Sequence, residues 1–364
     1  MGNYIAKTKY HCGIDLHKCM SYICVMNTQG KILVHMKIDN NDFNYMKKVL
    51  TPYWNDLTIA CESTFNWYIL ADFCALEKID FALGHAFYMR LIHGSKAKND
   101  KIDSRKIADL LRTNLLPEAY ACPQKFRAHR DLLRRRVKLL NLRSGVSTYI
   151  SLFENQNGLN SSSPDLRRAV KSPQQLMSLQ TFAENDKAMA CNYQLNSSFL
   201  VTFSKYLDQV DKQLLKFTLD STFCDDYKIV SSMKGIGPVL GMTLVYETHD
   251  IRRFKNAGKY ASYCRVIKCK KESAGKNYGS SGVNNGNPHL KWAFGQIAIL
   301  AQKEPLVKLL AQELEKRHGK RKARSVLTHK ICRSIYYMLL HRKPFDLIDF
   351  LGKEKYVRLK QKIH

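Results

Sequence analysis

Apolar runs and alternating polar positions in the first third of the chain predict a mixed α/β domain. The predicted strands are Cys12–Leu16, Ile23–Met26, Ile32–Ile38, Leu57–Glu62 and Asp80–Leu83. The predicted helices lie at about Asp42–Tyr53, Trp67–Lys78 and Asp103–Arg112. Three consecutive strands followed by alternating helices and strands are typical of an α/β fold built on a mixed sheet.

Two long helices are predicted in the middle of the chain. The first runs from Pro123 to about Glu154 and carries an apolar stripe beside many arginines. A loop rich in Asn, Ser and Gly follows at Asn155–Pro164, and helical periodicity then continues to about Phe217. Two such helices would form an antiparallel arm suited to dimerisation, although a plain helical bundle fits the pattern equally well.

The last third of the chain is predicted to be mostly helical and opens with a glycine turn. Gly235-Ile236-Gly237-Pro238 precedes the helical stretch Val239–Thr248, and two apolar helices follow around Trp292–Gln302 and Ser325–His341. The turn resembles a helix-hairpin-helix element, in which glycines let backbone N–H groups approach a DNA phosphate. A turn that only connects two helices is the alternative.

The amino-acid composition of the chain limits the kinds of partner that it is expected to bind. Lys and Arg outnumber Asp and Glu by 59 to 31 in 364 residues, a formal charge of +28 that favours a polyanionic partner over charge-driven solubility alone. No segment approaches the ~20 apolar residues of a membrane span, and the N-terminus lacks the apolar core of a signal peptide. The 11 cysteines show no Cys-x-x-Cys spacing, which indicates reduced thiols in a cytosolic protein.

Four acidic residues contrast with this basic background. Asp15 lies in a predicted strand and Glu62 ends another, so adjacent parallel strands would bring both carboxylates to one edge of the sheet. Asp100 and Asp103 share one face of a helical pattern. Together the four suit two hard cations that act on a phosphodiester. Two alternatives stay open: the neighbours His17 and Lys18 would neutralise Asp15, and Asp100 or Asp103 would cap the helix.

Ser273 is a second candidate reaction centre. It lies in a predicted polar loop with several lysines, where a serine can attack a phosphate and lysines can stabilise the negative charge that develops on oxygen. The order and spacing of glycine and lysine do not fit a P-loop. On residue types alone, an ordinary loop serine is the commoner case.

Taken together, these segments resemble the IS110/IS1111 family of insertion-sequence transposases over nearly the whole chain. The matching segments are Gly13-Ile14-Asp15 with Lys18, Glu62-Ser63-Thr64, Lys98–Ser104 with Ile107-Ala108, Gly235–Pro238, Phe254, Tyr263, Ser273, Gly286-Asn287, Leu290-Lys291, Tyr337–Leu340 and Pro344–Asp346. Their order and spacing make the combination specific. One departure is Ala274, which stands where the family usually has glycine.

The resemblance implies an RNase H-like (RuvC-like) N-terminal domain at 1–124, a helical coiled-coil connector at 125–222 and a mostly α-helical C-terminal transposase domain at 223–364. It also implies a tetrad of Asp15, Glu62, Asp100 and Asp103 that binds Mg²⁺, and a covalent link between Ser273 and DNA. The residues expected to contact nucleic acid are Lys234, Gly235, Gly237, Lys276, Asn287, Arg134, Arg135 and Arg143.

The resemblance further implies a site-specific DNA recombinase that uses a structured bridge RNA to choose donor and target DNA. The expected partners are therefore DNA, that RNA and further copies of the chain in a dimer or tetramer, with no membrane and a cytoplasmic location at the nucleoid. Two other functions are alternatives: a RuvC-like junction nuclease that uses water, and a non-catalytic nucleic-acid-binding protein. The nuclease would leave the Ser273 region without a role.

Overall fold

The computed structural model describes residues 2–92, 99–157, 186–267, 269–281 and 286–363. The chain forms two compact units, Met1–Arg127 and Ala128–His364, and the boundary falls within one long helix. The predicted loop at Asn155–Pro164 lies outside the described residues from position 158 onwards, as does Lys98. Among the helices that the structure describes, none is long and apolar enough to cross a membrane.

The first unit is built on a five-stranded mixed sheet. Its strands are β1 (Tyr10–Leu16), β2 (Met20–Asn27), β3 (Ile32–Asp39), β4 (Leu57–Glu62) and β5 (Asp80–Gly84). Its helices are α1 (Phe43–Leu50), α2 (Trp67–Leu76), α3 (Ala86–Ile92) and α4 (Asp100–Arg112), with a 3₁₀ turn at Thr51–Asp56. The strand order is β3-β2-β1-β4-β5, and β1 runs antiparallel to β2 and parallel to β4. The predicted α/β class with a mixed sheet is confirmed.

The central strands of this sheet are apolar on both sides because each side faces a different core. On one face, Ile14 and Cys61 pack in a cluster with apolar residues of α1 and α2. On the other face, Ala60 packs with Ile107 and Leu111 of α4. Successive side chains of a strand point to opposite faces, so neighbours in sequence contribute to opposite cores. Helix α4 is therefore the element that covers the second face.

The second unit is mostly helical, as predicted. Its helices are α5 (Gln124–Gln156, which begins at the end of the first unit), α6 (Lys187–Leu219), α7 (Cys224–Ser231), α8 (Pro238–Thr248), α9 (Ala257–Tyr263), α10 (Pro288–Leu300), α11 (Pro305–His318), α12 (Lys320–His341), α13 (Leu347–Leu351) and α14 (Lys353–Lys360). Short 3₁₀ turns lie at Ile251–Arg253 and Ala301–Lys303. Two strands, β6 (Cys269–Ser273) and β7 (Lys276–Ser281), form an antiparallel hairpin. The predicted loop around Ser273 is therefore wrong, since this segment is a β-hairpin.

Helix α8 lies at the centre of the second unit. Every residue from Leu240 to Thr248 is buried, which explains why its sequence is apolar on all sides. Tyr260 of α9 and Phe294 of α10 are fully buried, and their rings meet edge to face with centroids 6.1 Å apart. Because α9 precedes the hairpin and α10 follows it, this core fixes the elements on both sides of β6 and β7.

Candidate active site

Asp15 and Glu62 occupy neighbouring positions on the two parallel strands β1 and β4. The last paired residues of β1 and β4 are Ile14 and Cys61, and the two acidic residues come directly after them. Because Ile14 and Cys61 pack in the core on the opposite face, both carboxylates lie on the face that α4 covers. Both residues are half-buried. The predicted parallel pairing of these two strands is confirmed.

Gly13 lets α4 approach β1 closely. A Cβ atom at this position would lie 2.2 Å from the backbone nitrogen of Ala108 and 2.3 Å from the carbonyl oxygen of Ser104. Only glycine fits a contact of this kind between the backbones of a strand and a helix. The close approach holds the first turn of α4, which contains Asp100 and Asp103, beside the sheet.

We expect Gly13→Ala to lower the free energy of unfolding by about 3 kcal/mol, because the added methyl group meets backbone atoms that cannot rotate away. Urea unfolding followed by circular dichroism measures the change. Gly145→Ala is the matched control: nothing lies within 4 Å of its Cβ position in α5, and alanine favours a helix interior. Equal stability of Gly13→Ala and the unchanged protein would contradict the close packing of α4 on β1.

Asn99, and not an aspartate, caps α4. Its side-chain oxygen accepts a hydrogen bond of 3.0 Å from the backbone nitrogen of Lys101. Helix α4 begins at Asp100, earlier than predicted, so Asp100 and Asp103 both lie in its first turn. The alternative that either aspartate caps the helix is wrong. Asp103 pairs instead with Lys106 at 3.2 Å.

Asp15, His17 and Asp100 form a compact cluster. The Nε2 atom of His17 lies 3.2 Å from Asp15 Oδ2 and 3.4 Å from Asp100 Oδ1. One donor atom from each of the three side chains lies within 4.8 Å of the others, and no further group of this kind occurs in the part of the chain that the structure describes. Glu62 and Asp103 lie outside the cluster. His17, which the sequence suggested only as a neutralising neighbour, contacts both carboxylates.

The surroundings of Asp15 favour a bound cation. Burial raises the pKa of Asp15, the contact with His17 opposes that rise, and the charges of Asp100 and Asp103 add to it. The ionised carboxylate is therefore destabilised, and a cation among these side chains would relieve the repulsion. Carboxylate oxygens suit a hard divalent ion, and transition metals accept an imidazole nitrogen more readily than Mg²⁺ does. The donor set fits a divalent metal ion.

Ser273 lies at the tip of the β6–β7 hairpin, in the second unit. It is the last residue of β6 and pairs with Lys276 of β7. Ala274 and Gly275 form the turn with φ angles of 48° and 73°, the left-handed values that both central residues of a type I′ hairpin turn adopt. Alanine tolerates this conformation less well than glycine does. Ser273 and Lys276 are both exposed, so a polymer can reach the hydroxyl group.

Two family models match the chain, one around each of these candidate centres. Residues 12–151 match the IS110 DEDD model, described as Transposase, and residues 227–311 match a model described as Transposase IS116/IS110/IS902 family. The chain belongs to the IS110 family of transposases. The predicted family and the predicted enzyme class, a DNA recombinase or transposase, are confirmed. No curated protein matches the chain significantly. The family implies DNA binding and suggests the use of a divalent metal ion.

In this transposase, the segment that carries Ser273 is tied together at its base. Arg265, before the hairpin, donates a hydrogen bond of 2.8 Å to the carbonyl oxygen of Gly286, after it. The backbone nitrogen of Asn287 donates to the carbonyl oxygen of Tyr263 at 2.7 Å. Gly286 has a φ of 102°, and a Cβ atom there would lie 2.4 Å from the same Tyr263 oxygen. Both ends of the hairpin segment therefore meet at a fixed base.

A buried carboxylate, Glu247 of α8, connects this base to the long helix α5. Arg134 donates two hydrogen bonds to it, at 2.7 and 2.9 Å, and Asn287 Nδ2 donates a third at 2.7 Å. Burial alone would raise the pKa of Glu247, but these bonds and the charges of Arg134 and Arg130 hold it below its usual value. Arg134 and Asn287, predicted to contact nucleic acid, thus have an internal partner that the sequence did not indicate.

The other residues predicted to contact nucleic acid differ in exposure. Arg143 donates a hydrogen bond of 2.8 Å to Ser204 Oγ, and Arg135 is exposed. Lys234 is exposed and pairs with Glu304 at 3.2 Å. The two glycines of the Gly235–Pro238 turn that were predicted to contact nucleic acid differ in their surroundings. Gly235 lies against the end of α10, where a Cβ atom would come within 2.6 Å of the backbone, whereas Gly237 is exposed at the start of α8.

Proposed function

We propose that this transposase cuts and rejoins DNA strands through a covalent phosphoserine at Ser273, with Mg²⁺ held by Asp15, Glu62, Asp100 and Asp103. The observation that carries the proposal is the cluster in which donor atoms of Asp15 and Asp100, on different elements, lie within 4.8 Å of each other. Carboxylates held this close repel one another, and such arrangements are concentrated at functional sites.

The four carboxylates have distinct positions in the proposed metal site. Asp15 and Asp100 would hold the ion directly, Glu62 would contribute from the neighbouring strand, and Asp103 would contribute from the same turn of α4. When bound, the metal supplies charge stabilisation for a reacting phosphodiester. The protein supplies rigidity, because a strand end and a capped helix start keep the carboxylates in place before DNA arrives.

Ser273 is the proposed nucleophile. A bond forms between its Oγ and a DNA phosphorus while the bond from that phosphorus to one deoxyribose oxygen breaks. The hydroxyl proton passes to solvent, and the released sugar oxygen takes up a proton. Attack by a sugar hydroxyl of another strand reverses the step and frees the serine. The adduct keeps the phosphodiester linkage for rejoining, so strands are exchanged and not hydrolysed.

The proposed partners include a bridge RNA and further copies of the chain. The resemblance to the family supports both, and the formal charge of +28 supports binding to more than one nucleic acid. Helices α5 and α6, each of 33 residues, support a connector at about 125–222 between domains at 1–124 and 223–364. The exposed Arg135 and Lys276 are the proposed contacts to nucleic acid. We place the enzyme in the cytoplasm, at the nucleoid.

Reconstitution tests the proposal. Purified protein, RNA transcribed from DNA flanking its gene, and labelled donor and target DNA should give strand exchange in Mg²⁺. Excess EDTA should lower the rate by on the order of 10³-fold, because the metal contributes several kcal/mol of charge stabilisation, and added Mg²⁺ should restore it. Cleavage to free ends without exchange would instead support a nuclease that uses water. Binding without cleavage in any divalent metal would support the non-catalytic alternative.

A further inference from the structure

Five exposed cations surround the junction of α11 and α12. Lys316 and Arg317 lie in the last turn of α11, and Lys320, Arg321 and Lys322 form the first turn of α12, with only Gly319 between His318 and Lys320. All five are exposed. We call these five residues the basic corner. It lies outside residues 12–151 and 227–311, which the family models match.

The charges of the basic corner oppose the local electrostatics of α12. Cations at the end of α11 suit the negative end of that helix, but three cations at the start of α12 face its positive end. The first turn of α12 contains no acidic residue, and its N-cap, Gly319, has no side chain to accept a hydrogen bond. This end of α12 therefore lacks a negative partner at the place where helices most often have one.

The protein itself does not supply that partner in the part of the chain that the structure describes. None of the five cations forms an ion pair there. Glu313 of α11 pairs instead with Arg358 at 2.8 Å and Lys362 at 3.0 Å. A local arrangement that lowers stability without an internal gain is expected at a binding surface.

We propose that the basic corner binds the phosphate backbone of duplex DNA. Lysine and arginine at a helix start offer charge and free N–H groups to phosphates. Residues 315–326 include no Phe, Tyr or Trp, so His318 is the single aromatic ring of this segment that could stack on an unpaired base. These features favour binding to a duplex over binding to single-stranded RNA. They also favour contacts to phosphates, which do not read the base sequence. The inference rests on the proposed function, because strand exchange requires the enzyme to bind DNA at positions away from the reacting phosphodiester bond.

The salt dependence of DNA binding tests the proposal. The probe is a short duplex of random sequence, and both proteins carry Ser273→Ala so that no chemistry is needed. Lys320→Gln, Arg321→Gln and Lys322→Gln together should lower the slope of log K against log salt by about 2 to 3, since each phosphate contact contributes about 0.9. At ~0.1 M salt the affinity should fall by on the order of tenfold or more. The melting temperature should not fall, because repulsion at the start of α12 is removed.

A matched triple variant separates a local contact from general attraction. Lys31→Gln, Lys308→Gln and Lys343→Gln change the net charge equally at three other exposed positions and should leave the slope nearly unchanged. Equal effects of the two triples would overturn the proposal. Loss of affinity for an RNA duplex but not for DNA would also overturn it. If the triple variant of the basic corner unfolds, Lys322→Gln alone should lower the slope by about 1. An unchanged slope in that single variant would again refute the contact. Because no cleavage is measured, these outcomes are independent of the serine and metal chemistry.

Discussion

Ser273→Ala is expected to abolish the covalent adduct between this transposase and DNA while leaving DNA binding and the fold intact. Alanine lacks the oxygen that would form the bond to phosphorus, so no slower route to the same adduct remains. Ser273 is exposed at the tip of the hairpin, and surface substitutions of this kind usually change stability by less than about 0.5 kcal/mol. Denaturing electrophoresis of labelled DNA measures the adduct, and mass spectrometry after proteolysis locates the modified residue.

Ser280→Ala provides the control within the same hairpin. Ser280 lies on β7, paired with Lys270 of β6, and its substitution should leave the amount of adduct unchanged. An adduct that survives Ser273→Ala but disappears in Ser280→Ala would move the nucleophile to the opposite strand. Cleavage by Ser273→Ala at the unchanged rate, with no adduct in either protein, would favour hydrolysis by water. A thermal melt of each variant shows whether any loss reflects unfolding.

The sheet and its two acidic residues could be predicted from sequence because the signal is local. Asp15 lies within one apolar run and Glu62 ends another, and such runs are recognised as strands without knowledge of any distant contact. The position of α4 on that sheet could not be predicted. It depends on the contact of Gly13 with the backbone of Ser104 and Ala108, and a glycine in a strand does not show what approaches it.

Two other features were not predictable for different reasons. The hairpin around Ser273 has no apolar alternation in Cys269–Ser281, and its turn places Ala274 where a glycine would mark the bend. Glu247 lies within an apolar helix, and its partner Arg134 is remote in sequence, so the pair exists only once the second unit has folded. In both cases the deciding contact is long-range or depends on backbone conformation, which residue types do not reveal.

The two candidate centres permit separate tests because each belongs to a different compact unit. The cluster of Asp15, His17 and Asp100 lies in Met1–Arg127, and the Ser273 hairpin lies in Ala128–His364. Metal binding can therefore be measured in Ser273→Ala, and the exposure of the hairpin can be measured in a variant that binds no metal. A shared mechanism predicts that either substitution alone stops strand exchange, whereas only one of them removes metal binding.

Asp15→Asn is expected to stop strand exchange while leaving the metal-free protein at least as stable as before. The amide keeps the shape of the side chain but removes a negative charge from the proposed metal site, which should lower the rate by on the order of 10³-fold or more. The stability effect has the opposite sign. Burial and the charges of Asp100 and Asp103 raise the pKa of Asp15, so its ionised form costs stability above that pKa, and a neutral amide removes the cost at neutral pH.

Thermal melts with and without metal separate this prediction from simple damage to the fold. Mg²⁺ or Mn²⁺ should raise the melting temperature of the unchanged protein, because a ligand that binds only the folded state stabilises it, and should have little effect on Asp15→Asn. Asp39→Asn is the control, since it removes the same charge from an exposed position that pairs with Lys37 at 2.6 Å. A metal-dependent rise that persists in Asp15→Asn, together with undiminished strand exchange, would refute the metal role of this carboxylate. A lower melting temperature without metal would instead mean that Asp15 stabilises the fold through His17, and the cluster would then be structural.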